Sequence, residues 1–178
     1  MNVRLKVSED QSLFENIKEL KKERPLTPAH PIVDAIDLNI CLVHPEATAP
    51  KVMQVGDVAA DVFSCEAVIV EARSRALVQT GVILELPPGF RARLRSRSGL
   101  SLKYGIEVGA GLIDNSHRKP FGVVLYNHSD DTFIVEVGDR IAQLCIERYT
   151  HPTFHVVDRI EEVGRSEGWG SSGISKKP

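Results

Sequence analysis

From residue 39 onward the chain breaks into short runs rich in β-branched and aromatic residues, each bounded by Pro, Gly, Asn or Asp. This punctuation limits the fold more than any other feature of the sequence. The runs are Ile40–Val43, Ala67–Val70, Ala76–Leu86, Phe90–Leu94, Phe121–Asn127, Thr132–Val137, Arg140–Tyr149 and Thr153–Ile160. Within one of them Phe133, Val135 and Val137 alternate with Ile134 and Glu136. Strand signals at this spacing, with almost no helical period, predict an all-β sandwich or barrel. No internal repeat is present.

The N-terminal part reads differently. Residues 8–24 predict one amphipathic helix: Ser8 and Gln11 fit a capping box, Leu13, Phe14, Ile17 and Leu20 form an apolar stripe, and Pro25 stops it. Pro25, Pro28 and Pro31 then mark a linker or a surface arm. The C-terminal end differs again. Residues 164–178 are rich in Gly and Ser and too poor in apolar surface to order themselves. They hold Arg165 and Trp169, the only tryptophan of the chain. A cation and a flat ring on a flexible strip suit closure over an anionic, planar ligand such as a nucleotide. The expected parts are an extension (1–38), a β domain (39–163) and a flexible arm (164–178).

Charge narrows the partners. The net charge is −2 over 178 residues, with 26% charged and 42% hydrophobic residues, the profile of an ordinary soluble domain. There is no basic footprint for a nucleic-acid polymer or an acidic membrane, so any phosphate site is local. The three cysteines, Cys41, Cys65 and Cys145, form no C-x-x-C pair, and the six histidines show no metal-ligand spacing. Neither a disulfide framework nor a zinc site is expected. With no long apolar run at the N-terminus, the expected setting is intracellular and reducing, in cytoplasm or nucleus.

Four segments can carry chemistry. Arg95 to Lys103 brings arginines, serines, a glycine and a lysine together, offering backbone N–H groups, hydroxyls and cations. That mixture suits phosphate oxygens, because charge-assisted hydrogen bonds are the strong ones; a solvated turn would carry the same residues. Gly109-Ala110-Gly111 predicts a tight hairpin that lets backbone approach a ligand closely. Just beyond it, Asp114 is placed to hold or deprotonate a water, or to bond its own turn. Gly138-Asp139 makes a turn, and Gln143 is the polar member of the strand that follows. Asp61 enters a strand among apolar residues, either forming a turn or supporting a phosphate-bound cation; magnesium keeps several waters and needs few protein oxygens.

In this order the segments resemble the five motifs of the trimeric dUTP nucleotidohydrolases: Ala59–Ser64, Arg97-Ser-Gly-Leu100, Gly109-Ala-Gly-Leu-Ile-Asp114, Gly138-Asp-Arg-Ile-Ala-Gln-Leu144 and Gly168-Trp-Gly-Ser-Ser-Gly173. His44–Pro50 is similar to the start of that family's domain, so the resemblance runs from about residue 40 to the C-terminus. It implies a β jelly roll, or distorted barrel, closed as a homotrimer with active sites shared between subunits. The implied reaction is hydrolysis of dUTP to dUMP and pyrophosphate, which limits uracil in DNA and supplies dUMP for thymidylate synthesis.

The resemblance also assigns roles. Asp114 would activate the water that attacks the α-phosphate. Arg97, Ser98, Gly99 and Gln143 would hold the phosphates, and Asp61 would support a water of a bridging Mg²⁺. Gly111, Leu112, Ile113, Asn115, Ser116, His117 and Gly122 would surround the nucleoside. Arg165 would reach the γ-phosphate, with Trp169, Gly170 and Ser171 closing over uracil. In three places the chain departs from the family: His117 replaces a tyrosine, Lys119-Pro120 replaces a glycine and a polar residue, and Trp169 replaces a phenylalanine with Arg165 one residue nearer. The related dCTP deaminases carry a glutamate where this chain has Val124, which disfavours deamination. A non-catalytic, nucleotide-sensing homologue is the other alternative, against which Asp114, Ser98, Gln143 and Asp61 are all retained.

Overall fold

A computed structural model describes residues 35–161. Ten strands and one short helix follow one another as β1 (Asn39–Leu42), β2 (Ala60–Phe63), β3 (Val68–Val70), β4 (Arg75–Glu85), β5 (Phe90–Arg95), α1 (Ser98–Tyr104), β6 (Ile106–Gly109), β7 (Leu112–Ile113), β8 (Phe121–Asn127), β9 (Phe133–Val135) and β10 (Arg140–Arg148). One four-stranded sheet has the order β1-β4-β8-β6, a second has β2-β10-β5-β7, and β3 pairs with β9. Every pairing is antiparallel. The all-β jelly-roll class expected from the sequence is what the chain adopts. The predicted helix over 8–24 and the Gly/Ser-rich arm lie outside the described residues. Among the described residues no helix is long and apolar enough to cross a membrane.

Alternation decides which face of each strand is buried. In β8 Phe121, Val123, Leu125 and Asn127 point inward, while Gly122, Val124 and Tyr126 point outward. In β4 Val78, Val82 and Leu84 are buried, and across the second sheet Val62, Ala92, Leu94, Ala142 and Leu144 answer them in one contiguous core. Sheet-on-sheet packing of this kind is stabilised mainly by apolar area removed from water. Ser64, Thr80 and Asn127 are polar residues buried fully inside, Asn127 being the largest at 1% exposed. Its amide donates to the carbonyls of Val70 at 3.0 Å and Asp131 at 2.8 Å. Its oxygen accepts from the Ser129 N–H and hydroxyl, so each polar group of the side chain is satisfied.

The β4–β8 ladder slips between Gln79 and Val82. The Thr80 hydroxyl donates to the Phe121 carbonyl at 2.5 Å and accepts from the Val82 N–H at 3.2 Å, filling the irregularity. Gly81 sits there at φ +65°, and a Cβ would lie 2.6 Å from the His44 Cβ and 2.9 Å from the Ala47 Cβ. Gly81→Ala should therefore destabilise the domain by about 2–3 kcal/mol through left-handed backbone cost plus overpacking. Denaturant unfolding would read this as a lower midpoint at unchanged slope; a midpoint equal to wild type would mean that the 44–47 segment yields freely.

Three expectations need correction. Ser98–Tyr104, most of which lies in the Arg95–Lys103 segment that a solvated turn would also fit, is helical, closed by Gly105 at φ +66°. Gly109–Gly111 does not join a hairpin ladder: β6 pairs with β8 in one sheet and β7 with β5 in the other, so the tri-residue step carries the chain between sheets. Thr153–Ile160 forms no strand. Its residues alternate as a strand would, but among the described residues no neighbouring strand offers them a ladder, and Phe154, Val156 and Ile160 are exposed.

Candidate active site

Two separate groups of the expected residues are assembled on this scaffold. The first lies on the outward side of the β2-β10-β5 ladders. Asp61 in β2 is directly opposite Gln143 in β10, and Gln143 is opposite Arg95 in β5. The Asp61 side chain is 7% exposed and accepts two cations: Arg140 Nη1 lies 3.0 Å from Oδ2, and Arg97 Nε lies 3.5 Å from Oδ1. Arg97 also donates through Nη1 to the Arg140 carbonyl at 2.8 Å. Two guanidinium groups are thus fixed side by side around one carboxylate, leaving one net positive charge beside Gln143. Arg140 was not among the sequence-based candidates; its position at the start of a strand, after Gly138-Asp139, was the available signal.

Arg97 occupies the N-cap position of α1 in extended conformation, φ −87° and ψ 128°. Ser98 and Gly99 form the exposed first turn, whose N–H groups have no acceptor within the helix. The first intrahelical bond runs from the Ser101 N–H to the Arg97 carbonyl, 2.9 Å. What anchors this turn to the sheet is Glu107 of β6, which accepts from the hydroxyls of Ser101 and Ser96. Ser96 in turn accepts from the Val108 N–H at 2.9 Å. These hydroxyls, Ser101 first and Ser96 second, hold the Glu107 carboxyl below its usual range.

A depressed carboxyl pKa stabilises the fold above the unfolded-state pKa, and that contribution is lost as pH falls through the folded value. Glu107→Gln should therefore flatten the acid limb of the stability profile. Denaturant midpoints of wild type should fall more steeply than those of the variant below the normal carboxylate range, while parallel profiles would remove Glu107 as the linked group.

The second group follows β7. Gly111 is required where the chain passes β5, since a Cβ would sit 2.5 Å from the Leu94 carbonyl, and the Leu94 N–H donates to the Gly111 carbonyl at 2.7 Å. Ala110 beside it is at φ +49°. Ile113 is buried and Leu112 is 55% exposed. Asp114 then opens a turn in which the His117 N–H donates to its carbonyl at 3.1 Å. Arg118 braces the turn by donating to the carbonyls of Asn115 and His117. Asp114 and His117 line a depression of about 200 Å³ with Leu94, Ile113, Phe121 and Gly122. Asp114, Asn115 and Ser116 also line an adjoining one of about 330 Å³ that reaches Arg91 and Tyr149.

These two groups do not meet in one chain. Ala92 is opposite Ile113, which sets Asp114 beside Arg91 at the start of β5. Arg97 lies roughly 20 Å further along at ~3.3 Å per residue. Arg165, Trp169, Gly170 and Ser171 lie outside the described residues.

Among the described residues no three His, Cys, Asp or Glu groups converge on a metal position. Asp61 is enclosed by its arginines, so its oxygens suit a metal-bound water better than the metal itself. Such an arrangement fits magnesium, which usually keeps several waters and takes its remaining ligands from substrate phosphates.

A model of the dUTPase family matches residues 45–173. The chain is 46% identical over 115 residues to a deoxyuridine 5'-triphosphate nucleotidohydrolase of Oryza sativa subsp. japonica, covering 64% of this chain and 67% of that one. It is 37% identical over 143 residues to that of Yarrowia lipolytica, covering 79% and 91%. Among solved structures, the Staphylococcus bacteriophage 80alpha dUTPase with dUPNHPP superposes with a TM-score of 0.72 at 28% identity, covering 79% of this chain and 100% of that one. A dUTPase from phage phi11 of S. aureus, described with a structural Mg(II) ion, superposes at 0.66 and 25% identity, covering 71% and 100%.

Proposed function

The chain belongs to the dUTPase family, and on that premise we propose that it hydrolyses dUTP to dUMP and pyrophosphate by attack of water on the α-phosphate. The observation that carries the reading is the pair of arginines held around Asp61 beside Gln143. Phosphoryl transfer asks mainly for positioning and charge neutralisation, and this is a fixed cationic surface on a chain of net charge −2. Arg97, Gln143 and the first-turn residues Ser98 and Gly99 bind the phosphates. Asp114 is the catalytic residue, holding the attacking water and accepting its proton at the carboxylate. The depression between Ile113, His117, Phe121 and Gly122 receives the nucleoside, with Leu112, Asn115 and Ser116 around it. Magnesium, when bound, would neutralise phosphate charge and reach the protein through a water on Asp61.

The active sites are shared in a homotrimer. A base-and-water group at one end of β5 and a phosphate group at the other cannot serve one α-phosphate across roughly 20 Å, whereas a neighbouring copy can supply the missing half. The exposed Phe154, Val156 and Ile160 favour the same assembly, since a second copy would cover them. Release of pyrophosphate from dUTP by the full chain with Mg²⁺ tests the activity; no turnover at saturating dUTP would end the hydrolase reading.

The C-terminal residues complete the site in this scheme, with Arg165 on the γ-phosphate and Trp169, Gly170 and Ser171 over uracil. Base–aromatic stacking contributes about 1–3 kcal/mol. Removal of residues 164–178 should therefore lower kcat/KM by about tenfold or more while sedimentation still reports a trimer. Unchanged kinetics of the truncated protein would exclude the arm from catalysis.

A further inference from the structure

The outward side of β5 carries Arg91, Arg93 and Arg95 in alternation, with Arg97 just beyond. Three of these four have carboxylate partners. Arg91 and Arg93 both direct Nε at Glu147 Oε2, at 3.2 and 3.3 Å, and Arg97 shares Asp61 with Arg140. Arg95 is exposed and has no acidic partner among the described residues. Its Cα is directly opposite that of Gln143, which is opposite Asp61. Directly paired residues of a ladder project to the same side, so Arg95, Gln143 and Asp61 form one transverse row. Neighbouring strands are ~4.8 Å apart, a span that an arginine side chain covers.

Arg95 also lines, with Arg93, Ser96, Glu107 and Leu112, a cleft of about 620 Å³. The carboxylate of that cleft, Glu107, is already occupied by the hydroxyls of Ser96 and Ser101. Five guanidinium groups (Arg91, Arg93, Arg95, Arg97 and Arg140) therefore face three carboxylates (Asp61, Glu107 and Glu147). This local cationic excess stands on a chain whose overall charge is −2. A guanidinium without a carboxylate beside a fixed cationic pair suits phosphate oxygens, which it can grip in bidentate fashion.

We propose that Arg95 is an additional substrate-binding residue, gripping the part of the dUTP phosphate chain that leaves as pyrophosphate. The proposal rests on the hydrolase reading above. In that reading the water-activating Asp114 and the nucleoside pocket come from another subunit, so the cation row takes the phosphates beyond the α position.

Full-length Arg95→Ala and Arg95→Lys test it through dUTP kinetics and through inhibition by inorganic pyrophosphate and by dUMP. One hydrogen-bonded charge contact corresponds to about tenfold or more in affinity. Arg95→Ala should raise KM for dUTP and the pyrophosphate inhibition constant by about that factor, with kcat changing much less. Inhibition by dUMP and the oligomeric mass should stay at wild-type values, and Arg95→Lys should recover part of the loss. Constants for dUTP and pyrophosphate within twofold of wild type would overturn the proposal. So would an equal weakening of dUMP, or a loss of assembly, either of which would make the role structural. A wild-type protein that binds pyrophosphate by calorimetry, weakened in Arg95→Ala, yet does not turn over dUTP would remove the hydrolase reading and keep the anion site.

Discussion

Asp114→Asn should bind dUTP with near-wild-type affinity and turn it over about 10²–10⁴-fold more slowly, the usual contribution of a positioned general base. The substitution is nearly isosteric. The turn it sits in is held by the Asp114 carbonyl, which accepts from the His117 N–H, and by Arg118 on the carbonyls of Asn115 and His117. None of these bonds uses the carboxylate, so the depression should persist. An amide can still accept a hydrogen bond from water, but it cannot take the proton as water attacks. Loss in kcat with retained binding is the signature of an interaction made only in the transition state. If kcat stayed within threefold of wild type, another group would have to be the base, and Asp114 would be a turn-former only.

The second large effect falls on Asp61. Its carboxylate is nearly buried and joins Arg97 and Arg140, whose side chains are 24% and 43% exposed. In Asp61→Asn the two guanidinium groups lose their shared counter-charge and repel. Because both are partly in water they can rehydrate, so the cost in stability is held to about 1–2 kcal/mol, less than for a fully buried pair. Activity should suffer more, since the proposed phosphate surface depends on where Arg97 points. We expect kcat/KM to fall by about tenfold to a hundredfold, equivalent to ~1.4–2.8 kcal/mol of transition-state binding. Urea unfolding and steady-state kinetics on the same preparation separate the two effects. A variant as active as wild type would show that Asp61 organises nothing the reaction uses.

Much of the fold is legible in the sequence because Pro, Gly, Asn and Asp interrupt the β-branched runs where strands end. Phe121–Asn127 matches β8 at both ends, and Arg140–Tyr149 overshoots β10 by one residue. What is lost has identifiable causes. α1 is seven residues long, about two turns, too short for a helical period to emerge above the serine and arginine content. Gly109–Gly111 signals a turn, but a turn residue carries no information on which sheet receives the next strand. Thr153–Ile160 has strand alternation, but a ladder needs a partner, and the pattern does not say whether the partner belongs to the same chain.

For the site, the segments carrying Asp61, Arg97, Asp114 and Gln143 could be singled out by residue type. Their grouping could not. The pairing of Asp61 with Arg140 and Arg97 depends on the register of β2 against β10, and the separation of Asp114 from Arg97 depends on β7 joining β5 at Ala92 and Arg93. Glu107 carries no signal of its own in the sequence beside Gly109, yet it fastens the first turn of α1 to the sheet through two serines.

Mixed oligomers give the most direct test of a dUTP-hydrolysing site divided between chains. Asp114→Asn and Asp61→Asn proteins, each with at most about a tenth of wild-type activity on the losses expected above, are unfolded together and refolded as an equal mixture, and pyrophosphate release from dUTP is measured. In a shared site, some combine the intact Asp114 of one chain with the intact Asp61 of another. Random assembly with one residue from each of two subunits should restore about a quarter of wild-type activity. Activity no higher than that of the separate variants would contradict the account, because it would mean that both residues must come from the same chain.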